Sequence, residues 1–303
     1  LTVGATTLLS WRKKMRYGHK YVFLLPGLLV LIAILIFPVL FTVRLSLSGW
    51  NSYNPSLDFV GIKNYVRLFT SDPRFWEAFF RLSFFSLTTV FLQYILGFSL
   101  ALLVWRDVLF KRFFRVLFLI PMMTTPVIMT VIWKTVFHES LGPVNDFLSM
   151  FGLTPLWLSD PMLSKVTVVI VEVWQWTPFM FLLLLAGLLS LPKEAFLAAS
   201  IDGAGPIRKF IYVTFPLMAP ISIGAIIIRL IEASKIMDTI YVLTSGGPGT
   251  STETTSFYIF IKGLREFQMG YSAAMSFTYL IVMILSLTVI VNILVRVFIG
   301  RNN

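Results

Sequence analysis

The chain has 303 residues, of which 57% are hydrophobic and only 13% charged, with a formal net charge of +11 and a mean hydropathy of +0.85. A soluble fold of this size cannot bury so much apolar surface, so lipid must be the solvent for much of it. The absence of Cys excludes disulfide scaffolds, thiolate metal sites and cysteine nucleophiles, and the two His, His19 and His138, are too few for a histidine-built catalytic or metal centre.

In chain order, a basic segment over residues 1–20 carries Arg12, Lys13, Lys14, Arg16 and Lys20. The apolar run after it is too long for the hydrophobic core of a signal peptide, and no small-x-small pattern follows, so we expect a retained first helix. Apolar runs of the length needed to cross about 30 Å of hydrocarbon predict six membrane helices, at residues 21–43, 82–105, 116–133, 166–190, 211–231 and 273–295. The expected fold class is therefore all-α, an integral membrane helical bundle. The third run is the shortest and holds Pro121 and Pro126. Neighbouring helices would have to satisfy the carbonyls those prolines free, which predicts a span buried in the bundle.

The charges orient this bundle. With residues 1–20, 106–115, 191–210 and 296–303 inside, the inner segments hold 14 Lys and Arg in 58 residues and the outer ones 10 in 111. The net charge is +11 on the inner side and zero on the outer side. The basic balance thus reads as a positive-inside signal with both termini cytoplasmic, and it points away from nucleic acid.

The most informative stretch lies inside, from Pro192 to Phe210. Pro192 suits the first turn of a helix and Glu194 its positive end. Ala195, Ala198 and Ala199 share one face at helical spacing, and Gly203 and Gly205-Pro206 stop the helix. With nothing of its own chain to pack on, such a helix reads as a docking element for a partner; the alternative is a helix lying on the lipid surface. Outside, the run Gly246-Gly247-Pro248-Gly249 is no phosphate cradle, because a Walker loop needs a Gly-Lys pair and the chain has none. The chain does not hydrolyse ATP by itself, and we expect it to bind no metal.

Gln93, Glu172, Gln175, Arg229 and Asn292 fall within or near spans, where an ionised group costs about 2.5–3.5 kcal/mol and usually faces a cavity or a partner. Together with the indoles of Trp174 and Trp176, they form a candidate substrate pathway suited to stacking and hydrogen bonding with a sugar. Helix–helix contacts are the alternative. Arg229 would either pair with Glu232, three residues on, or face an acidic group on the solute.

At Ala198, Ala199 and Gly203, with Val213 and Pro216 in register, the chain resembles the membrane subunits of ATP-binding-cassette (ABC) importers, in particular the carbohydrate permeases of the maltose and glycerol-3-phosphate type. Their inner signature is Glu-Ala-Ala, three residues, Gly, nine residues, then an aliphatic residue, one residue and Leu-Pro. Here Leu197 stands at the Glu position, with Glu194 one turn earlier, and Phe215 stands where Leu is usual. Phe59-Val60-Gly61 with Asn64-Tyr65, Asp72-Pro73-Arg74-Phe75-Trp76, and Tyr241-Val242-Leu243-Thr244 with Gly246–Gly249 are similar to that family's outer loops.

The resemblance implies the type I ABC importer fold, with a permease domain over 21–299 and a coupling loop at 191–210 between helices 4 and 5. It implies ATPase contact through Glu194, Ala195, Ala198, Ala199, Asp202, Gly203 and Ala204. The partners it implies are a second permease, two ATPase subunits that bind ATP and Mg, and an external solute-binding protein that docks on loops including Asn64, Tyr65, Gly246, Gly247 and Pro248. No cofactor would be held by this chain. The rival readings are an ion-coupled secondary transporter, which would want more intramembrane carboxylates than Glu172, and a membrane enzyme, which would want clustered acids or histidines.

Overall fold

A computed structural model of the chain describes residues 3–105, 111–298 and 300, with side chains over 23–105 and 113–297. The side chains of the basic segment, His19 among them, and all of Asp107 lie outside the described residues.

Twelve α-helices are found among the described residues: α1 (Val3–Ser46), α2 (Lys63–Thr70), α3 (Pro73–Trp105), α4 (Lys111–Met123), α5 (Pro126–Val136), α6 (Pro143–Ser149), α7 (Pro161–Leu189), α8 (Lys193–Ile201), α9 (Pro206–Lys209), α10 (Phe215–Ala233), α11 (Thr255–Phe260) and α12 (Met269–Phe298). Wider π turns occur at Phe210–Thr214, Ile240–Thr244 and Ile261–Arg265. The one β-type pairing among the described residues is the isolated bridge Ser48–Phe59. Proline opens several helices, where its missing N–H costs nothing and its fixed φ suits the first turn. At α7 the Asp160 carboxylate also accepts from the Met162 and Leu163 amides, both at 2.8 Å.

Five helical stretches are long and apolar enough to cross a membrane: Phe23–Ser46, Pro73–Trp105, Pro161–Leu189, Pro206–Ala233 and Met269–Val297. The expected third span at 116–133 is not one continuous helix. It is a helix pair, α4 and α5, bent by 93° at residues 124–125. Pro126 pushes Thr125 out of the helical region (φ −59°, ψ 130°), so the ladder cannot continue. Nor is the pair buried as expected: Thr130 is the sole buried residue of its described side chains.

The chain divides into two units. The first comprises residues 1–67 and 262–278. In it residues 23–41 of α1 are exposed, as suits a helix solvated by lipid or by another chain. The loop after α1 is fastened by Asn64, whose amide donates to the carbonyls of Ser46 and Ser48, both at 2.9 Å, and by a 2.6 Å hydrogen bond between Tyr65 and Ser46. Gly270 lies so close to the Ser48 carbonyl that a Cβ there would stand 2.2 Å from its oxygen.

The second unit, residues 68–261 and 279–303, is built on α3, α7 and α10. Its core joins Phe98 and Ala101 of α3, Phe181, Leu184 and Leu188 of α7, and Met218 and Ala225 of α10. Gly97 allows α3 a close approach to α7, since a Cβ there would lie 2.9 Å from the Met180 side chain and the Phe181 backbone.

Candidate functional site

Four of the seven residues expected along a substrate pathway meet between α3, α7 and α10. The Arg229 guanidinium, 1% exposed, donates from Nε to the Gln93 side-chain oxygen at 2.8 Å and from NH2 to Glu172 Oε2 at 3.2 Å. It also lies 4.9 Å from the Trp176 ring centre. Gln93 turns its amide to the Glu172 carbonyl at 2.9 Å, and the Thr239 hydroxyl donates to Glu172 Oε1. Every charge is thus met by an opposite charge and by hydrogen bonds, the condition under which a buried ion pair is tolerated. A cavity of about 190 Å³ opens on this cluster, lined by Glu172, Trp176 and Arg229 with Lys235, Asp238 and Thr239 beside them.

Arg229 therefore does not pair with Glu232 as its i, i+3 spacing suggested. Glu232 pairs with Lys235 at 3.0 Å. Thr239 gave no sequence signal, because an isolated Thr beyond a helix end looks like any turn residue.

The other three residues do not join the cluster. The Gln175 amide donates to the carbonyls of Pro121 and Thr124, at 2.8 and 3.1 Å, and so caps the break between α4 and α5. Trp174 packs edge-on against Trp133, with centroids 5.4 Å apart. Asn292 is exposed on α12.

The segment between α7 and α10 forms the helix expected there. In α8, Glu194, Leu197, Ala198 and Ile201 point outward along one stripe, with Leu197 63% and Ile201 87% exposed. Asp202 and Gly203 are exposed beyond it. Gly203 has φ +71°, and its amide and that of Ala204 bond back to Ser200 and Ala199, at 3.1 and 2.9 Å. This left-handed cap is why the signature position holds Gly.

Two expectations are corrected here. The helix does pack on its own chain, through Phe196 against Trp105, with centroids 5.4 Å apart. The small-residue face is not the outer one: Ala195 and Ala199 are half-buried beside Phe196, as is Ala204 farther on, while Ala198 stands on the stripe with Leu197 and Ile201. Helical phase explains this, since Phe196 turns its neighbours inward with it.

The loop before α11 is held by an ion network. Glu253, 3% exposed, takes a bidentate contact from Arg74 at 2.8 and 2.6 Å, and Arg81 donates to its carbonyl at 2.9 Å. Asp72 caps α3 and accepts from Tyr258, whose phenol pKa is pushed up by burial and then by the Asp72 carboxylate. Gly246 (φ +85°) is buried against Phe257, with Gly247 and Pro248 half-buried beside it. In the first unit Asn64 and Tyr65 are likewise turned inward. All five residues expected to dock a binding protein also shape the loops that carry them. The sequence reading missed Glu253 and Tyr258, because only the fold brings them to the Asp72-Pro73-Arg74 motif.

A family model described as binding-protein-dependent transport system inner membrane component matches residues 93–302. The chain is 38% identical over 282 residues to the trehalose/maltose transport system permease protein MalF of Thermococcus litoralis, covering 91% of this chain and 94% of that one. It is 33% identical over 281 residues to the sulfoquinovosyl glycerol transport system permease protein SmoG of Agrobacterium fabrum, covering 90% of each. A chain of a bacterial alginate ABC transporter, solved in complex with an alginate pentasaccharide-bound periplasmic protein, superposes with a TM-score of 0.80 at 22% identity, over 95% of this chain and 98% of that one. On this evidence the protein belongs to the inner membrane components of binding-protein-dependent transport systems and has the type I ABC importer permease fold.

Proposed function

We propose that the protein is the permease subunit of an ABC importer that carries a carbohydrate into the cytoplasm, with both termini and α8 on the cytoplasmic side. Residues 21–299 form the permease domain and 191–210 the loop gripped by the ATPase. A second permease, two ATPase subunits holding ATP and Mg, and an external solute-binding protein complete the machine. The observation that carries this reading is α8, a helix with no buried residue that presents apolar Leu197 and Ile201 outward yet is anchored to α3 through Phe196 and Trp105. Carbohydrate relatives such as the trehalose/maltose and sulfoquinovosyl glycerol permeases support the solute class. An acidic solute loses its main support, since the Arg229 charge is already met by Glu172.

In this mechanism, closure of the ATPase dimer moves α8. The Phe196–Trp105 contact passes that movement to the end of α3, and the π turn at Phe210–Thr214 passes it to α10. Both helices converge with α7 at the Gln93–Glu172–Arg229 cluster, so α8 is mechanically joined to the cavity beside it. ATP and the loaded binding protein each favour the outward-facing state, so their effects are linked.

Two kinds of α8 variant test the proposal in the reconstituted transporter. Gly203→Val forces a β-branched residue to φ +71°, at a cost of about 1–3 kcal/mol, whereas Gly203→Asn keeps that conformation accessible. We expect Gly203→Val and the charge variant Leu197→Asp to lower ATPase co-purification and coupled hydrolysis at least about tenfold, the effect of about 1.4 kcal/mol at the contact, with Gly203→Asn close to wild type. Assembly and coupling unchanged in both Gly203→Val and Leu197→Asp would overturn it.

A further inference from the structure

Two apolar clefts flank the Trp105–Phe196 pair. One, of about 840 Å³, is walled by Leu102, Leu103, Ile207 and Phe210, with Lys209 as the only charged residue among the described ones. The other, of about 500 Å³, is walled by Leu188, Leu189, Leu191 and Leu197, with Lys193 as the only charged residue among the described ones. Ser200 connects them, since it lines the second cleft and accepts a 2.7 Å hydrogen bond from Lys209 Nζ. Among the described residues neither lining contains a carboxylate, and neither lysine forms an ion pair. Glu194 and Asp202 are the nearby acids of this segment, and neither lines a cleft. Leu103, 50% exposed at the end of α3, opens the larger cleft to the surroundings.

We propose that these clefts bind an anionic phospholipid. Its acyl chains lie on either side of Trp105 and Phe196, and its phosphate sits at Lys209 and Ser200 with Lys193 facing it. Three features select this occupant. The walls are apolar at the end of a membrane helix, where acyl chains give way to headgroups and a tryptophan is at home. The rim carries two cations that form no ion pair among the described residues, which a phosphodiester matches. The Ser200 hydroxyl, which donates to the Phe196 carbonyl at 2.7 Å, holds Lys209 at the junction of the two clefts, where its ammonium can meet the phosphate. A neutral lipid would fill the walls but leave the two ammonium groups unmatched.

The test is native mass spectrometry of the full chain in detergent, challenged with equal amounts of phosphatidylglycerol and phosphatidylcholine. Wild type should retain phosphatidylglycerol preferentially, and Lys209→Gln should cut that preference about fivefold, the typical effect of one lysine near an anionic headgroup. Lys193→Gln/Lys209→Gln should abolish it, and Lys63→Gln, on α2, should leave it intact. Leu103→Trp, placed on an exposed position that does not threaten folding, should block retention of both lipids. Inorganic phosphate at millimolar concentration should not displace the lipid, because it lacks the acyl contacts. An undiminished preference in Lys193→Gln/Lys209→Gln, an equal loss in Lys63→Gln, retention unaltered by Leu103→Trp, or displacement by inorganic phosphate would each refute the site.

Discussion

At the scale of single residues, the Glu172–Arg229 pair shows how composition misleads when read without contacts. An arginine inside a membrane helix suggests an anionic solute, yet its charge is met within the chain. Taking one partner away leaves an uncompensated charge in a low-dielectric interior, at about 3–5 kcal/mol, whereas replacing both by apolar residues removes the desolvation cost along with the attraction. We therefore expect Glu172→Leu and Arg229→Met each to lower the thermal midpoint of the purified protein strongly, and Glu172→Leu/Arg229→Met to recover most of that loss. If the two losses simply added, the pair would not be the stabilising contact described here. Transport by the double variant reports separately on whether the cluster contributes to solute passage.

Among the elements, the break between α4 and α5 is the one that sequence length concealed. An apolar run of 18 residues over 116–133 reads as a span because hydropathy has no access to direction. The two prolines were visible, and so was the need for some neighbour to satisfy the carbonyls they free. The donor is Gln175, which hydropathy and spacing had placed among sugar-binding residues. Gln175→Leu removes both hydrogen bonds at nearly constant volume and leaves two carbonyls unpaired, a cost of about 1–3 kcal/mol per buried group. The expected outcome is a thermal midpoint several degrees lower and faster proteolysis between Met123 and Pro126. A variant as stable as wild type would mean that other donors or water satisfy those carbonyls.

For the whole molecule, orientation is the property that charge counting alone predicts, and the absence of Cys makes it directly measurable. Ser200→Cys on α8 and Ser56→Cys on the loop after α1 place single thiols on segments assigned to opposite sides of the bilayer. In intact cells an impermeant maleimide should label Ser56→Cys and spare Ser200→Cys, with the pattern inverted in inside-out vesicles. Labelling of both from one side would remove the proposed coupling. Hydrophobic length, the basic asymmetry and the spacing around Gly203 are local quantities, so a linear reading reached the five long apolar helices, the all-helical class and the exposed helix between α7 and α10 without any coordinates. Which polar groups meet is a different matter. Gln93 lies 136 residues from Arg229, and Arg74 lies 179 from Glu253. Such pairs exist only after α3 has packed against α10 and the loop before α11, and no periodicity along one helix encodes the rotation of its neighbour. That is why tertiary structure alone decided that Arg229 answers to Glu172 and that Gln175 mends a broken helix.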